Sequence, residues 1–182
     1  MKILTTPDPF LRTIAKPITV FDKKLQSEID QMFKLLHASK DPEGVGLAAT
    51  QVGLDRRLFI IDNGHNKQVF INPVILSSST QMLSEKYANP KRRYLEGCLS
   101  VPRLWGFVDR PYSVTVEYQV PQFQISNLKF QIIRKTFSGT SSSYVQHEID
   151  HLNGILFTDR ILKQHGQIFK ETPRGLELYD QV

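Results

Sequence analysis

His147 and His151 stand four residues apart in QHEIDHLNG (146–154), with Glu148 directly after the first. On a helix turning about 100° per residue, the two imidazoles fall roughly 40° apart and about 6 Å along the axis. Both can then reach one ion. Glu148 lies about 100° to one side of His147 and Asp150 about 60° to the other, while Ile149 faces away toward a core. Two ligands beside a carboxylate make the arrangement that activates water at a metal, with the glutamate as general base. The same spacing also occurs on solvated helix faces, so the pair needs a third ligand.

The single cysteine, Cys98, sits in LEGCLSVP (95–102). An isolated cysteine is ordinarily a small buried apolar group. Here a thiolate joining two imidazoles would leave one position of a tetrahedral ion open to water, which is a catalytic pattern. A zinc peptidase would instead draw its third ligand from downstream, where Glu171 and Glu177 stand in a polar tail. His37, His65 and His165 read as surface residues. In EGVGLAATQVG (43–53), Gly44 and Gly46 let the backbone take unusual dihedrals or approach another chain closely. No G-K-[ST] follows, so this is no phosphate loop, and Gln51 offers an amide that can donate to an oxyanion.

These groups need elements to hold them. Apolar residues at Leu25, Ile29, Met32, Phe33 and Leu36 mark one face of a helix from Asp22, its N-cap, to Ser39. RLFIID (57–62) and QVFINPVIL (68–76) read as strands joined through Asn63-Gly64. SVTVEYQV (113–120) alternates, with Val114, Val116, Tyr118 and Val120 on one side. LKFQII repeats the alternation with Leu128, Phe130 and Ile132, and the turn between them falls at Pro121-Gln122 or at Ser126-Asn127. Residues 77–94 read as a surface excursion ending near Pro90. The second helix runs from about Gly139 to Leu152. The expectation is a single domain over residues 1–182, with an irregular tail from about 163. Its class is α+β, with antiparallel sheets packed around the helix that carries H-E-x-x-H.

The chain has 182 residues, is 40% hydrophobic and 23% charged, and carries a net charge of +5, with a pI near 9.3. That length buries a core without disulfides, and one cysteine excludes an intramolecular bridge and suits a reducing compartment. MKILTTPDPFLRTIAKPI lacks an apolar signal region, and no stretch approaches a membrane span. A cytoplasmic protein is expected. Its basic residues are scattered apart from Lys91-Arg92-Arg93, which suits a solvated basic surface better than contact with RNA or an anionic surface.

GVGLAATQ (44–51), EGCLS (96–100) and QHEIDHL (146–152) together resemble, in order, the three signature motifs of the peptide deformylases. INPVI (71–75), the PDPFLR opening and HLNGILFTDR are similar to the same family, so the likeness runs from about residue 4 to 162. The resemblance implies removal of the formyl group from N-terminal formyl-methionine of newly made proteins, with release of formate. It implies one divalent metal, ferrous iron in the cell, with zinc, nickel or cobalt able to replace it. Carried onto this sequence, Cys98, His147 and His151 are the ligands and Glu148 the acid/base. Gln51 and the Leu99 N–H bind the oxyanion, and Gly44, Val45 and Gly46 pair with the substrate backbone. The implied partners are formylated nascent polypeptides and the ribosome surface, for a monomer that contacts neither membrane nor specific DNA.

Asp150 and Arg110 are candidates to support the ligands from behind. Two features depart from the family pattern. GTSSSYV (139–145) is polar where many members are apolar, so Ser143 and Tyr144 either face solvent or reshape the methionine pocket. Trp105 is either a lid over the peptide or a core residue. The competing readings are a cytoplasmic zinc peptidase and a catalytically inactive ribosome-associated homologue.

Overall fold

The computed structural model describes residues 1–39, 44–64, 66–89, 93–122 and 129–180. After a 3-10 turn at Pro9–Arg12, α1 spans Lys23–Ala38. Asp22 caps it by accepting a hydrogen bond from the Leu25 N–H at 2.7 Å, which satisfies one amide that the first turn leaves without a partner. Leu25, Ile29, Met32 and Leu36 are all buried, so the expected apolar face is the buried one.

The remaining elements follow in the order β1 (Gly46–Ala48), a 3-10 turn at Ala49–Val52 that carries Gln51, β2 (Leu58–Asp62), β3 (Lys67–Ser78), α2 (Leu83–Lys86), β4 (Glu96–Cys98), β5 (Val101–Gly106), β6 (Ser113–Gln122), β7 (Lys129–Ser138), α3 (Thr140–Leu152), α4 (Phe157–Lys163), β8 (Ile168–Thr172) and β9 (Gly175–Leu178). They build a five-stranded sheet, β1-β2-β3-β6-β7, and a four-stranded sheet, β4-β5-β8-β9. Every neighbouring pair is antiparallel. The chain is α+β, with α3 set against the larger sheet.

Side chains alternate across a strand, and β2 divides its residues accordingly. Phe59 and Ile61 join Phe70, Val116, Tyr118 and the α3 residues Val145, Ile149 and Leu152 in one core cluster. Leu58 and Ile60 point the other way, into a cluster with Ile29, Met32 and Leu36 of α1. Covered on both faces, β2 reads as an apolar run rather than an alternation. A third cluster, including Leu11, Val101, Phe157, Ile161 and Ile168, joins the smaller sheet to α4.

The structure corrects two expectations and refines a third. Pro121 and Gln122 lie in the ladder opposite Phe130 and Lys129, so the turn is not there; Ser126-Asn127 falls outside the described residues. The stretch from 163 is not an irregular tail. It forms the β8–β9 hairpin, turned at Thr172 and Gly175 and paired to β5 through Trp105 and Phe169. The 77–89 part of the excursion is pinned: Leu83 is buried and Met82 bridges to Pro111. On β7, Phe130 packs against Phe21, but Ile132 on the same face is 61% exposed.

Phe70 is the centre of the larger core, with ring centroids 4.4 Å from both Phe59 and Tyr118. Phe70→Ala is expected to cost about 3–5 kcal/mol in denaturant unfolding, through lost burial and the cavity left behind. Ile132→Ala, on the open face, is expected to stay within about 0.5 kcal/mol of the parent.

Candidate active site

Cys98 closes β4, while His147 and His151 lie on α3. The larger sheet, α3 and β4 together bring the three ligand atoms within 4.8 Å of one another. Cys98 Sγ is 3.2 Å from His151 Nε2. His147 Nδ1 is 2.9 Å from Glu96 Oε2, an outer hydrogen bond that orients the ring and leaves Nε2 for the site. Burial acts to lower the His147 pKa, yet hydrogen bonds to Cys98 and Glu96 outweigh it and hold this imidazole well above its usual range. Burial and the charge of His147 push His151 well below that range. A sulfur and two imidazole nitrogens at this separation suit one divalent ion of intermediate softness, with a position left for water or substrate.

Glu148 points its carboxylate into the same space. Its Oε2 is buried with no hydrogen-bond partner, and burial raises its pKa to about 7. Gly46 has a steric reason to be glycine. A Cβ there would meet the Glu148 carboxyl carbon at 2.8 Å, so a side chain would displace the carboxylate. Gly97 makes the matching concession to Trp105, whose ring lies 2.6 Å from where a Cβ would stand.

Gln51 is fixed by its carbonyl. Oε1 accepts from the Ala48 N–H at 2.8 Å, which forces the amide nitrogen toward Ser100 Oγ, at 3.1 Å, and Cys98 Sγ, at 3.5 Å. Gly46 of β1 and the two residues before it, Gly44 and Val45, together with Leu99, Trp105, Ser143 and Tyr144, line one cavity with Cys98, His147 and Glu148. Gln51 and His151 approach Cys98 without forming part of that lining. Ser143 is buried, so it does not face solvent. Trp105 is a partly exposed wall whose indole N–H donates to Glu171 at 3.3 Å. Glu171 is thereby engaged at the surface, and Glu177 pairs with Arg174 at 3.0 Å. Neither is in the metal-ligand cluster. His37 is exposed and meets Asp62 at 2.6 Å, His165 is exposed, and His65 lies outside the described residues.

Behind Cys98, His147 and His151 runs a buried ion network. Arg110, 3% exposed, donates to Glu96 through Nε at 2.6 Å and Nη2 at 3.0 Å. Its Nη1 reaches Asp150 at 2.8 Å, and Asp150 also accepts from Arg160 at 2.5 and 3.1 Å. Ser143 Oγ donates to Glu96 at 2.9 Å. Burial alone would raise the Glu96 pKa, but Arg110 and His147 overcome it and bring it to about 2. Asp150 and Arg110 therefore meet, joined by Glu96 and Arg160; these two, with Ser100 beside Gln51 and Tyr94 beside Tyr144, have no role assigned to them from the sequence. Glu96 carried a signal, since it opens the EGC triplet; Tyr94 and Arg160 carried none.

Residues 1–167 match the sequence model of the polypeptide deformylase family. The chain belongs to the peptide deformylase family. It is 37% identical over 173 residues to the peptide deformylase of Chromobacterium violaceum, covering 93% of this chain and 92% of that one. With that of Cellvibrio japonicus it shares 39% over 164 residues, covering 88% and 86%. The crystal structure of peptide deformylase from Thermotoga maritima matches with a TM-score of 0.73 at 34% identity, over 87% of this chain and 95% of that one. Membership makes this chain a hydrolase of the deformylase class, whose members are metalloenzymes acting on N-terminal formyl groups.

Arg110→Ala removes the buried cation shared by Glu96 and Asp150. It is expected to cost about 3–5 kcal/mol of stability, read by thermal or denaturant melting. It should also weaken metal binding by about 10–100-fold, read by metal content after dialysis, because Glu96 no longer holds His147 in place.

Proposed function

We propose that Cys98, His147 and His151 hold one divalent ion, ferrous in the cell and replaceable by zinc, nickel or cobalt, and that the site hydrolyses the formyl amide of N-terminal formyl-methionine. The observation that carries this reading is the meeting of three ligand atoms with the unpartnered oxygen of Glu148 beside the free edge of β1. When bound, the ion supplies Lewis-acid polarisation and lowers the pKa of water.

The chain's own groups do the rest. Glu148, its pKa raised to about 7 by burial, sits close enough to neutrality to take a proton from the attacking water and return it to the departing amine. The Gln51 amide, oriented by Ala48, and the Leu99 N–H donate to the developing oxyanion, and such donors contribute about 10²–10³ in rate each. Among the described residues β1 pairs with β2 alone, so Gly46 and the two residues before it, Gly44 and Val45, can take the substrate backbone as an added strand. Trp105, Ser143 and Tyr144 surround the first side chain.

No helix among the described residues is long and apolar enough to cross a membrane. We place the enzyme in the cytoplasm as a monomer acting on formylated nascent chains. Its net charge of +5 favours contact with the anionic ribosome surface.

The test is formate release from a formyl-methionyl peptide by protein loaded with ferrous iron or nickel without oxygen. Glu148→Ala is expected to lower kcat by about 10²–10⁴-fold while the ion stays bound. Cys98→Ala should lose both ion and activity. Retained activity in Cys98→Ala would favour a peptidase-type ligand set. Salt-dependent RNA binding by folded, metal-loaded protein that releases no formate would favour an inactive homologue.

A further inference from the structure

His37 stands in the last turn of α1, half exposed, and its Nε2 meets Asp62 Oδ2 at 2.6 Å. The Asp62 side chain is only 8% exposed, and its other oxygen accepts from the Gly64 N–H at 2.9 Å. Lys67 lies opposite Asp62 in the β2–β3 ladder, but it turns its amino group over the Phe33 ring, 5.5 Å from the centroid. The bond from His37 is the largest influence holding the Asp62 carboxyl below its usual range.

Asp62 is tied to the site as well. The regular ladder between β1 and β2 begins at the pair Gly46–Ile61. One residue before it, at a bend, the Val45 carbonyl accepts from the Asp62 N–H at 2.9 Å. One residue earlier again, Gly44 packs on the same turn of α1: a Cβ there would lie 2.6 Å from Leu36 Cδ1. Leu36 and His37, consecutive in the helix, thus reach the two residues that precede β1. Leu36 does so by contact, and His37 through Asp62.

We infer that His37 is a positioning residue for substrate: with Asp62 it tethers Gly44 and Val45 in the conformation to which the peptide backbone adds. This rests on the deformylase reading given above. His37 does not line the site cavity and acts only through Asp62. A segment that spends a fraction of its time in the receptive conformation weakens apparent binding by that fraction, so loss of the tether raises KM. The bound peptide then orders the segment itself, and kcat stays near the parent value, as when a contact shared by ground and transition states is removed.

The experiment measures kcat and KM for formyl-Met-Ala-Ser on the metal-loaded parent, His37→Ala, His37→Gln, Asp62→Ala and the double alanine variant. His37→Ala should raise KM by about five- to tenfold, the scale of one hydrogen bond, with kcat within about twofold of the parent. His37→Gln keeps an N–H donor at similar reach and should bring KM back to within about twofold of the parent. Asp62→Ala should raise KM as much as His37→Ala, and the double variant no further, because both remove one tether. A merely structural contact would lower the melting temperature and leave KM at the parent value, which overturns the tether. Single effects that multiply in the double variant overturn it too. If Asp62→Ala does not fold, the contrast in KM between His37→Ala and His37→Gln, both at a half-exposed side chain, decides it. A parent that releases formate while KM stays fixed across the series loses only the tether. A folded, metal-loaded parent that releases no formate loses the deformylase reading, and the tether with it.

Discussion

The buried pairing of Arg110 with Glu96 and Asp150 is the constraint on which the site depends. Glu96 belongs to β4, two residues before Cys98, and Asp150 to α3, between His147 and His151. One guanidinium therefore ties together the two elements that carry all three ligand atoms. Each charge would be costly to bury alone, and their hydrogen bonds are what make burial tolerable. The consequence is positional. Glu96 holds His147 by its Nδ1, and Asp150 binds Arg160 of α4, so the ligand helix cannot slide along β4 without breaking charged contacts.

Around that tie, the cores fix the other degrees of freedom. The apolar face of α3 is sealed against the larger sheet through Val145, Ile149 and Leu152, which turns His147, Glu148 and His151 toward β4. α1 covers the opposite face of β1 and β2 and keeps Gly46 of β1 against the Glu148 carboxylate. The short edge strand thus serves two ends. It gives way to the Glu148 carboxylate, and it stands at the edge of its sheet, where the proposed peptide backbone would add.

Much of this was legible in the sequence, for local reasons. The i, i+4 spacing of His147 and His151, the single cysteine, the cap and apolar stripe of α1, and the alternation in β6 each follow from neighbours along the chain. What was not legible depends on distant pairing. Glu96 gains its meaning from Arg110, 14 residues on, and from His147, 51 residues on. Tyr94 and Tyr144 are each unremarkable until the fold brings their rings together. The β8–β9 hairpin reads from sequence only as a tail; pairing of β8 with β5 gives that segment its order. The polar GTSSSYV turn was recognised as a departure, but its buried serines became intelligible only once Ser143 was seen donating to Glu96.

The most direct measurement of the central claim is a cobalt(II) titration of the metal-free protein under nitrogen. Thiolate-to-metal absorption and formate release from a formyl-methionyl peptide would be followed in the same samples. If Cys98, His147 and His151 hold the ion at which deformylation occurs, the absorption and the activity rise together and both saturate at a single equivalent. Activity that appears without the thiolate band, or a band that saturates while no formate is released, would contradict the account.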